Sequence, residues 1–508
     1  MEKFLTKHTK NVTGVISVFD RVIFKGYLPI SYPEACEGFL SRNGVLIKDF
    51  MQFTTKQTSI LKAQAEKIAA DAKRPYEYLR STIRKEDFAR EMATRDKITD
   101  GLICVIARNE ENHSYGLRYG KGRPNLVKKS PRCLTIYFYF MDRHFGLMHV
   151  RLCTWMPFTI QVYVNGHEWL ARQMTARNIG FRQCDNAFVS IDTCAKAQQI
   201  SDKFSHLPWE KILHAFARRV NPLLKTILAG MEYYWVMDQA EYATDVMCSD
   251  RAWLDELYTK WQKHAAVCFQ ATDIMRFMGR KLHGKFDGDV ITDSKIRPSV
   301  TRIKHTVRGN WIKMYNKNGI VLRIETVINR PQEFRIFRLG KGKKAAYYEP
   351  MRKRVTNMAH YARLSLRSNR AYLDALAPVD DPTCVYQELK RICEPVTKDN
   401  KRTRPLNPLR ENDRHLFMAV MCGGHHLHGF KANEIARLLG IEYAAYPPER
   451  KRQCAKVNRK LRLLRGHGLI ARCGRARRYR VTEMGTRHMN AAIDLYKHTI
   501  PASLKKAA

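Results

Sequence analysis

A chain of 508 residues has room for several domains and a sizeable buried core. Its 90 Lys+Arg against 48 Asp+Glu give a formal net charge of +42. That balance is foreign to ordinary metabolic enzymes and fits a polyanionic partner, because each neutralised phosphate releases counterions. The 44% hydrophobic and 10% aromatic content excludes a disordered basic tail. No apolar run reaches the ~18 residues of a membrane span, so no membrane partner is expected. The 13 cysteines show no Cys-x-x-Cys and no zinc-finger spacing; they read as reduced thiols of a cytoplasmic, nucleoid-associated protein.

In chain order, 12–30 is a β-branched run with Asp20 set inside it. A carboxylate there is costly to bury unless it meets a metal or a cation. Asp20 is therefore a candidate metal ligand, and the competing expectation is a surface pair with Arg21 or Lys25 on an edge strand. Helical periodicity over 56–71 and 76–92 predicts two covering helices. Strands are expected at 102–107, 133–140, 146–153 and 159–164, with short turns that favour antiparallel pairing. The Gly-, Lys- and Arg-rich stretch 115–132 reads as a loop, either contacting phosphates or simply solvated. His167, at a strand end, is either a metal ligand or general base or the cap of a turn. Asp192 is expected to cap a helix beginning near Thr193.

Residues 206–286 read as helical throughout. Within 231–247, Asp238, Glu241, Tyr242 and Asp245 stand at i, i+3, i+4 and i+7, one face of a helix. Such a stripe either holds a divalent metal beside a phenolic nucleophile or is an acidic face neutralised by neighbouring Lys and Arg. At 310–328 the alternation, interrupted by Asn and Gly, predicts a β-hairpin. Lys313, Tyr315 and Lys317 share a face of its first strand, and Arg323, Glu325 and Val327 a face of its second. A basic turn at 340–344 and an Arg-rich helix over 351–376 follow, and the Pro-containing 398–410 reads as a linker.

The C-terminal segment is the most legible. Helices are expected at 413–421, 431–440 and 449–465, then two short strands around an Arg-rich tip within 468–482, then a closing helix at 483–495. This is the pattern of a winged helix-turn-helix. Cys454, Val457, Leu461 and Leu464 form the apolar stripe of its third helix, leaving Lys456, Arg459, Lys460 and Arg462 to face DNA. Arg475, Arg477 and Arg478 occupy the wing. Residues 401–508 hold 24 Lys+Arg against 7 acids, as a DNA-binding surface requires. His425-His426-Leu427-His428 contains the His-hydrophobic-His pattern of metal-binding single-strand nucleases, but in a loop of this module rather than on a strand.

Tyr315-Asn316-Lys317 followed by Arg323-Ile324-Glu325 resembles a hairpin of the rolling-circle replication initiators of plasmids and filamentous phages. In those proteins Tyr-Asp-Lys or similar precedes a strand reading Arg-Val-Glu, so Asn316 stands where an acid is often found. The resemblance implies DNA nicking by a tyrosine held on a helix facing a sheet, which makes Tyr242 the first candidate nucleophile and Tyr315 the second. The whole chain also resembles a group of bacterial proteins present in several copies per genome, some labelled transcriptional regulators for their C-terminal segment.

Together these readings predict an α+β protein: a central antiparallel sheet with an inserted helical region, plus a C-terminal winged helix-turn-helix. The expected segments are 1–205 (α+β), 206–290 (helical insertion), 291–397 (hairpin and basic helices completing the core), 398–412 (linker) and 413–498 (winged module). The expected function is metal-dependent DNA nicking or strand transfer for a mobile element or replicon, like an initiator or transposase. Mg or Mn would be held by Asp20, Glu325 and Glu241, the attacking group would be Tyr242 or metal-bound water, and Lys313 and Arg323 would neutralise phosphorane charge. The alternative is a non-catalytic winged-helix DNA-binding regulator whose large N-terminal region binds RNA or a protein partner.

Overall fold

The computed structural model describes residues 1–80, 82–120, 124–267, 269, 271–280, 288–297, 300–338, 347–379, 385–398, 401–422, 425, 429–473 and 477–496. They divide into two compact units, one of 14–247 with 325–366, the other of 1–13, 248–324 and 367–508. The fold is α+β with a large sheet, as expected, and the sheet is mixed rather than purely antiparallel. Tyr76–Tyr78 pairs parallel with Gly101–Glu111. That strand also corrects the helix expected over 76–92: an alternating Tyr-Glu-Tyr extends the chain, and the helix begins only at Lys85, running to Arg95.

In the unit of 14–247, hydrogen-bonded neighbours run from Tyr76–Tyr78 through Gly101–Glu111, Arg132–Asp142, Gly146–Cys153 and Ile160–Asn165. The order continues through Val12–Tyr27 and Tyr234–Cys248 to the Glu325 end of Val321–Val327. Val12–Tyr27 is thus an interior strand, and Asp20, 5% exposed, is no surface acid. The stretch 115–132 is not an open loop: Ser114–Arg118 and Asn125–Lys129 pair as a hairpin. Asp192 does not cap the next helix, Cys194–Lys203, whose N-cap position is held by Thr193.

The largest correction falls at 231–247, which is the strand Tyr234–Cys248 and not a helix. Its Tyr, Trp, Val and Thr content suits a pleated, half-buried surface, and a lone i, i+3, i+4, i+7 coincidence among polar residues does not outweigh it. Ser17 Oγ meets Thr244 Oγ1 at 2.9 Å, Phe19 packs edge-on against Tyr242, and Gly14 lies by Met247. These contacts descend one strand as they climb the other, so the two strands run antiparallel and Asp20 falls across from Glu241. Period-2 geometry then puts Glu241 and Asp245 on one face and Asp238 and Tyr242 on the other.

In the other unit, Val290–Arg297, Val300–Val307 and Asn310–Lys317 pair antiparallel in succession. The turn after Lys317 carries Asn318 at φ +56° and Gly319 at φ +72°, the two left-handed residues of a type I′ hairpin. The basic turn expected at 340–344 lies outside the described residues. The expected helix over 351–376 begins later, as Met358–Leu376.

The same unit ends in helices Glu411–Val420, Ala432–Leu438 and Pro447–Gly466, a hairpin of Ile470–Arg472 with Tyr479–Val481, and a helix Glu483–Asp494. One core joins them, with Phe417, Ile435, Val457, Leu461, Leu464 and Met489 buried. The expected linker is partly structured: Val396–Lys398 pairs with Lys401–Thr403, and Leu406 enters that core. Among the described residues no helix is long and apolar enough to cross a membrane.

Candidate metal centre

Three neighbouring strands of one unit each contribute an acid. Asp20, Glu241 and Glu325 present carboxylate oxygens that all lie within 4.8 Å of one another. Asp20 is 5% and Glu325 1% exposed, and Glu241 is half-buried. Three carboxylate oxygens that converge this closely form a donor set of the kind that suits a divalent cation. All three donors are hard oxygens. The span can be bridged by a cation with ligands at ~2.0–2.6 Å, the range of Mg²⁺ to Ca²⁺.

The surroundings orient Asp20. Its Oδ1 accepts from Asn186 Nδ2 at 2.8 Å and Asn165 Nδ2 at 3.4 Å, and His167 Nδ1 stands 3.3 Å away. The other ring nitrogen of His167 reaches Asp245 Oδ2 at 3.2 Å, with both side chains fully buried. Asp20, His167 and Asp245 therefore form a line in which the imidazole sits between two acids. Asn165 does double duty, because its Oδ1 accepts from the backbone N–H groups of His167 and Glu168 and caps the helix Gly166–Thr175. That helix starts hard against the Asp20 strand: a Cβ at Gly166 would come 2.0 Å from the Phe19 carbonyl oxygen. Only glycine allows the approach that places His167.

Exposed Arg21 lies with its guanidinium carbon 5.6 Å from the Tyr163 ring centre. Burial works against its charge, but Tyr163 and Glu241 outweigh burial and raise its pKa. Gln239 Nε2 donates to Glu241 Oε1 at 2.7 Å.

No protein-family model, curated protein or solved structure matches the chain. The reading of this site rests on its own geometry.

Tyr242 is 4% exposed and lies against Phe19, on the face away from Glu241. Lys313 and Arg323 belong to the other unit, where the Lys313 amino group is 5.8 Å from the Trp311 ring centre and the Arg323 guanidinium 5.9 Å from that of Tyr315. Asp238 faces Lys353, 3.8 Å away, as the salt-bridge alternative expected of it. Lys456, Arg459 and Arg462 are exposed on the helix Pro447–Gly466 and Lys460 is half-buried, while Val457, Leu461 and Leu464 face the core. Arg459, Lys460 and Arg462 share a shallow groove with Arg402 and Arg404. Arg477 is exposed, and Arg478 donates to the Gly429 carbonyl at 3.0 Å. Arg475, His426 and His428 lie outside the described residues. His425 is buried and contacts the Val420 carbonyl at 3.2 Å.

Sequence reasoning passed over Asn186, Asn165 and the His167–Asp245 contact. Asn165 had a readable signal: an Asn between a strand and a helical pattern is an N-cap. The others meet only through tertiary folding.

Proposed function

We propose that this chain is a metal-dependent DNA-nicking or strand-transfer enzyme of a mobile element or replicon, initiator- or transposase-like. Asp20, Glu241 and Glu325 would hold the divalent ion, Mg²⁺ or Mn²⁺. The observation that carries this reading is the convergence of three carboxylates within 4.8 Å in the interior of one unit. A bound ion there supplies Lewis-acid polarisation of a phosphoryl oxygen and an acidified water.

The protein's own groups do the rest. Asn186, Asn165 and the His167–Asp245 pair fix the Asp20 carboxylate. With Tyr242 on the opposite face of its strand, water is the favoured attacking group. The C-terminal helices and hairpin read as a winged helix-turn-helix: Pro447–Gly466 is the recognition helix, and Arg402 and Arg404 extend its phosphate-binding edge. A protein so charged would be found on the nucleoid.

The test incubates the full chain with single- and double-stranded DNA and Mg²⁺ or Mn²⁺. Nicking should appear and be lost in Asp20→Asn and Glu325→Gln, and Mn²⁺ should raise the melting temperature of the parent chain but not of either variant. Nicking that survives both substitutions removes the site. Absence of both nicking and the Mn²⁺ shift, with duplex binding intact, leaves the non-catalytic winged-helix regulator.

A further inference from the structure

The three strands Val290–Arg297, Val300–Val307 and Asn310–Lys317 have one apolar and one cationic face. Ile303, Val307, Ile312 and Met314 are buried on the first. Tyr258 anchors that side by donating to the Thr301 and Met314 carbonyls, and buried His305 contacts Tyr372 there. The opposite face carries Lys295, Arg302, Lys304 and Lys313 around Trp311.

The pairing register puts Lys304 directly across from Lys313 and Lys295 across from Arg302. Like charges in such positions destabilise a sheet. Two ammonium groups also share one indole, Lys304 at 4.5 Å and Lys313 at 5.8 Å from its centre. Asp293, on the same face, takes Arg302 at 2.6 Å. Burial lowers the Lys304 pKa, and Arg302, Lys313 and Lys295 add to that against the pull of Asp293. A sheet face this rich in cations is complementary in charge to a polyanion.

The shape narrows the choice. A pleated face is flat, with cations at alternate residues about 6.8 Å apart along a strand, so it offers no ridge to enter a duplex groove. Half-buried Trp311 and Tyr315 lie among the charges, and aromatic rings among cations suit bases that are no longer stacked on a partner strand.

We propose that this face binds single-stranded DNA, with Lys295, Arg302, Lys304 and Lys313 on the phosphates and Trp311 and Tyr315 beneath the bases. The inference borrows from the proposed function only the identity of the polyanion, and it needs no catalysis.

Fluorescence anisotropy of the full chain in EDTA, with labelled oligothymidylate and with a duplex of equal length, tests it across a salt series. Lys304→Glu with Lys313→Glu should weaken single-strand binding at least about tenfold and flatten its log–log salt slope by about 1.4, two contacts at ~0.7 each, leaving duplex affinity unchanged. Should that variant fail to fold, Lys295→Gln and Lys304→Gln singly should each flatten the slope by about 0.7. Unaltered single-strand binding in folded variants overturns the proposal, as does an equal loss of duplex binding. Tighter binding of oligouridylate than of oligothymidylate overturns the choice of DNA in favour of RNA. Glu325→Gln should bind both ligands like the parent chain, so failure of the metal site and failure of this face are separable.

Discussion

Two acid-bearing places in the same unit solve opposite problems. Glu110 is a carboxylate among cations: Lys85 Nζ at 2.6 Å and Arg108 at 3.7 Å reach one oxygen, while the Tyr137 hydroxyl at 2.6 Å and Arg151 at 3.3 Å reach the other. Burial pushes its pKa up, but Lys85, Tyr137 and Arg151 prevail and hold it below the ordinary carboxylate value. Asp20, Glu241 and Glu325 instead face one another within 4.8 Å. The first cluster is complete as it stands and belongs to the framework. The second gathers acids from three strands around one point, the geometry of a donor set for a cation rather than of a single ion pair.

The comparison breaks most sharply at the level of chemistry. Glu325→Gln should lower metal-dependent cleavage at least about 100-fold, on the order of 3 kcal/mol of transition-state stabilisation, whereas Glu110→Gln should leave the single-turnover rate within about threefold while the protein stays folded. Equal losses would mean that both acids are structural. Stability should respond in the opposite sense. In EDTA, Glu110→Gln should cost about 2 kcal/mol and lower the melting temperature by roughly 5 °C, because it strips the partner from buried cations. Glu325→Gln should lower that temperature by less than Glu110→Gln does, and calorimetry of the two variants decides the order.

Acidification separates the stability terms by pH. Burial holds His305 neutral with its pKa lowered to about 4. The unfolded chain therefore binds the extra proton first, and stability falls as pH drops from about 6.5 toward 4, by about 2 kcal/mol at pH 5. Glu110, held low in the fold, contributes stability above its unfolded value near 4.5 that is lost only below it. Thermal melts against pH should show the upper step, and His305→Gln should shrink it, leaving the share of His149, whose pKa burial lowers to about 3. The smallest effect is expected of Tyr242→Phe, which should leave the cleavage rate within about threefold and yield no change in covalent adduct; a larger loss would return the nucleophile to that tyrosine.

What the sequence disclosed and what it hid divide along chain distance. The Asn318-Gly319 turn, the strands Gly101–Glu111, Arg132–Asp142, Gly146–Cys153 and Ile160–Asn165, and the C-terminal helices obey local rules of turn chemistry and periodicity, and they fold where those rules put them. Asp20 stood out because a carboxylate inside a β-branched run is itself an anomaly, and Glu325 because it shares a hairpin face with Arg323. Tyr234–Cys248 misled because its polar residues happen to match a helical stripe, and its strand character comes from the neighbours it lies between. Asn186 was passed over because its contact with Asp20 joins segments some 166 residues apart.

Gly166 has a wider reach than its size suggests. Because the first turn of its helix rests on the backbone of the strand that carries Asp20, an added methyl would act as a wedge, tipping His167 out of line with both acids while leaving every charge in the sequence in place. Gly166→Ala should therefore silence the Mn²⁺-induced rise in melting temperature without touching a ligand. The centre would be disarmed through its hinge pin instead of its grip.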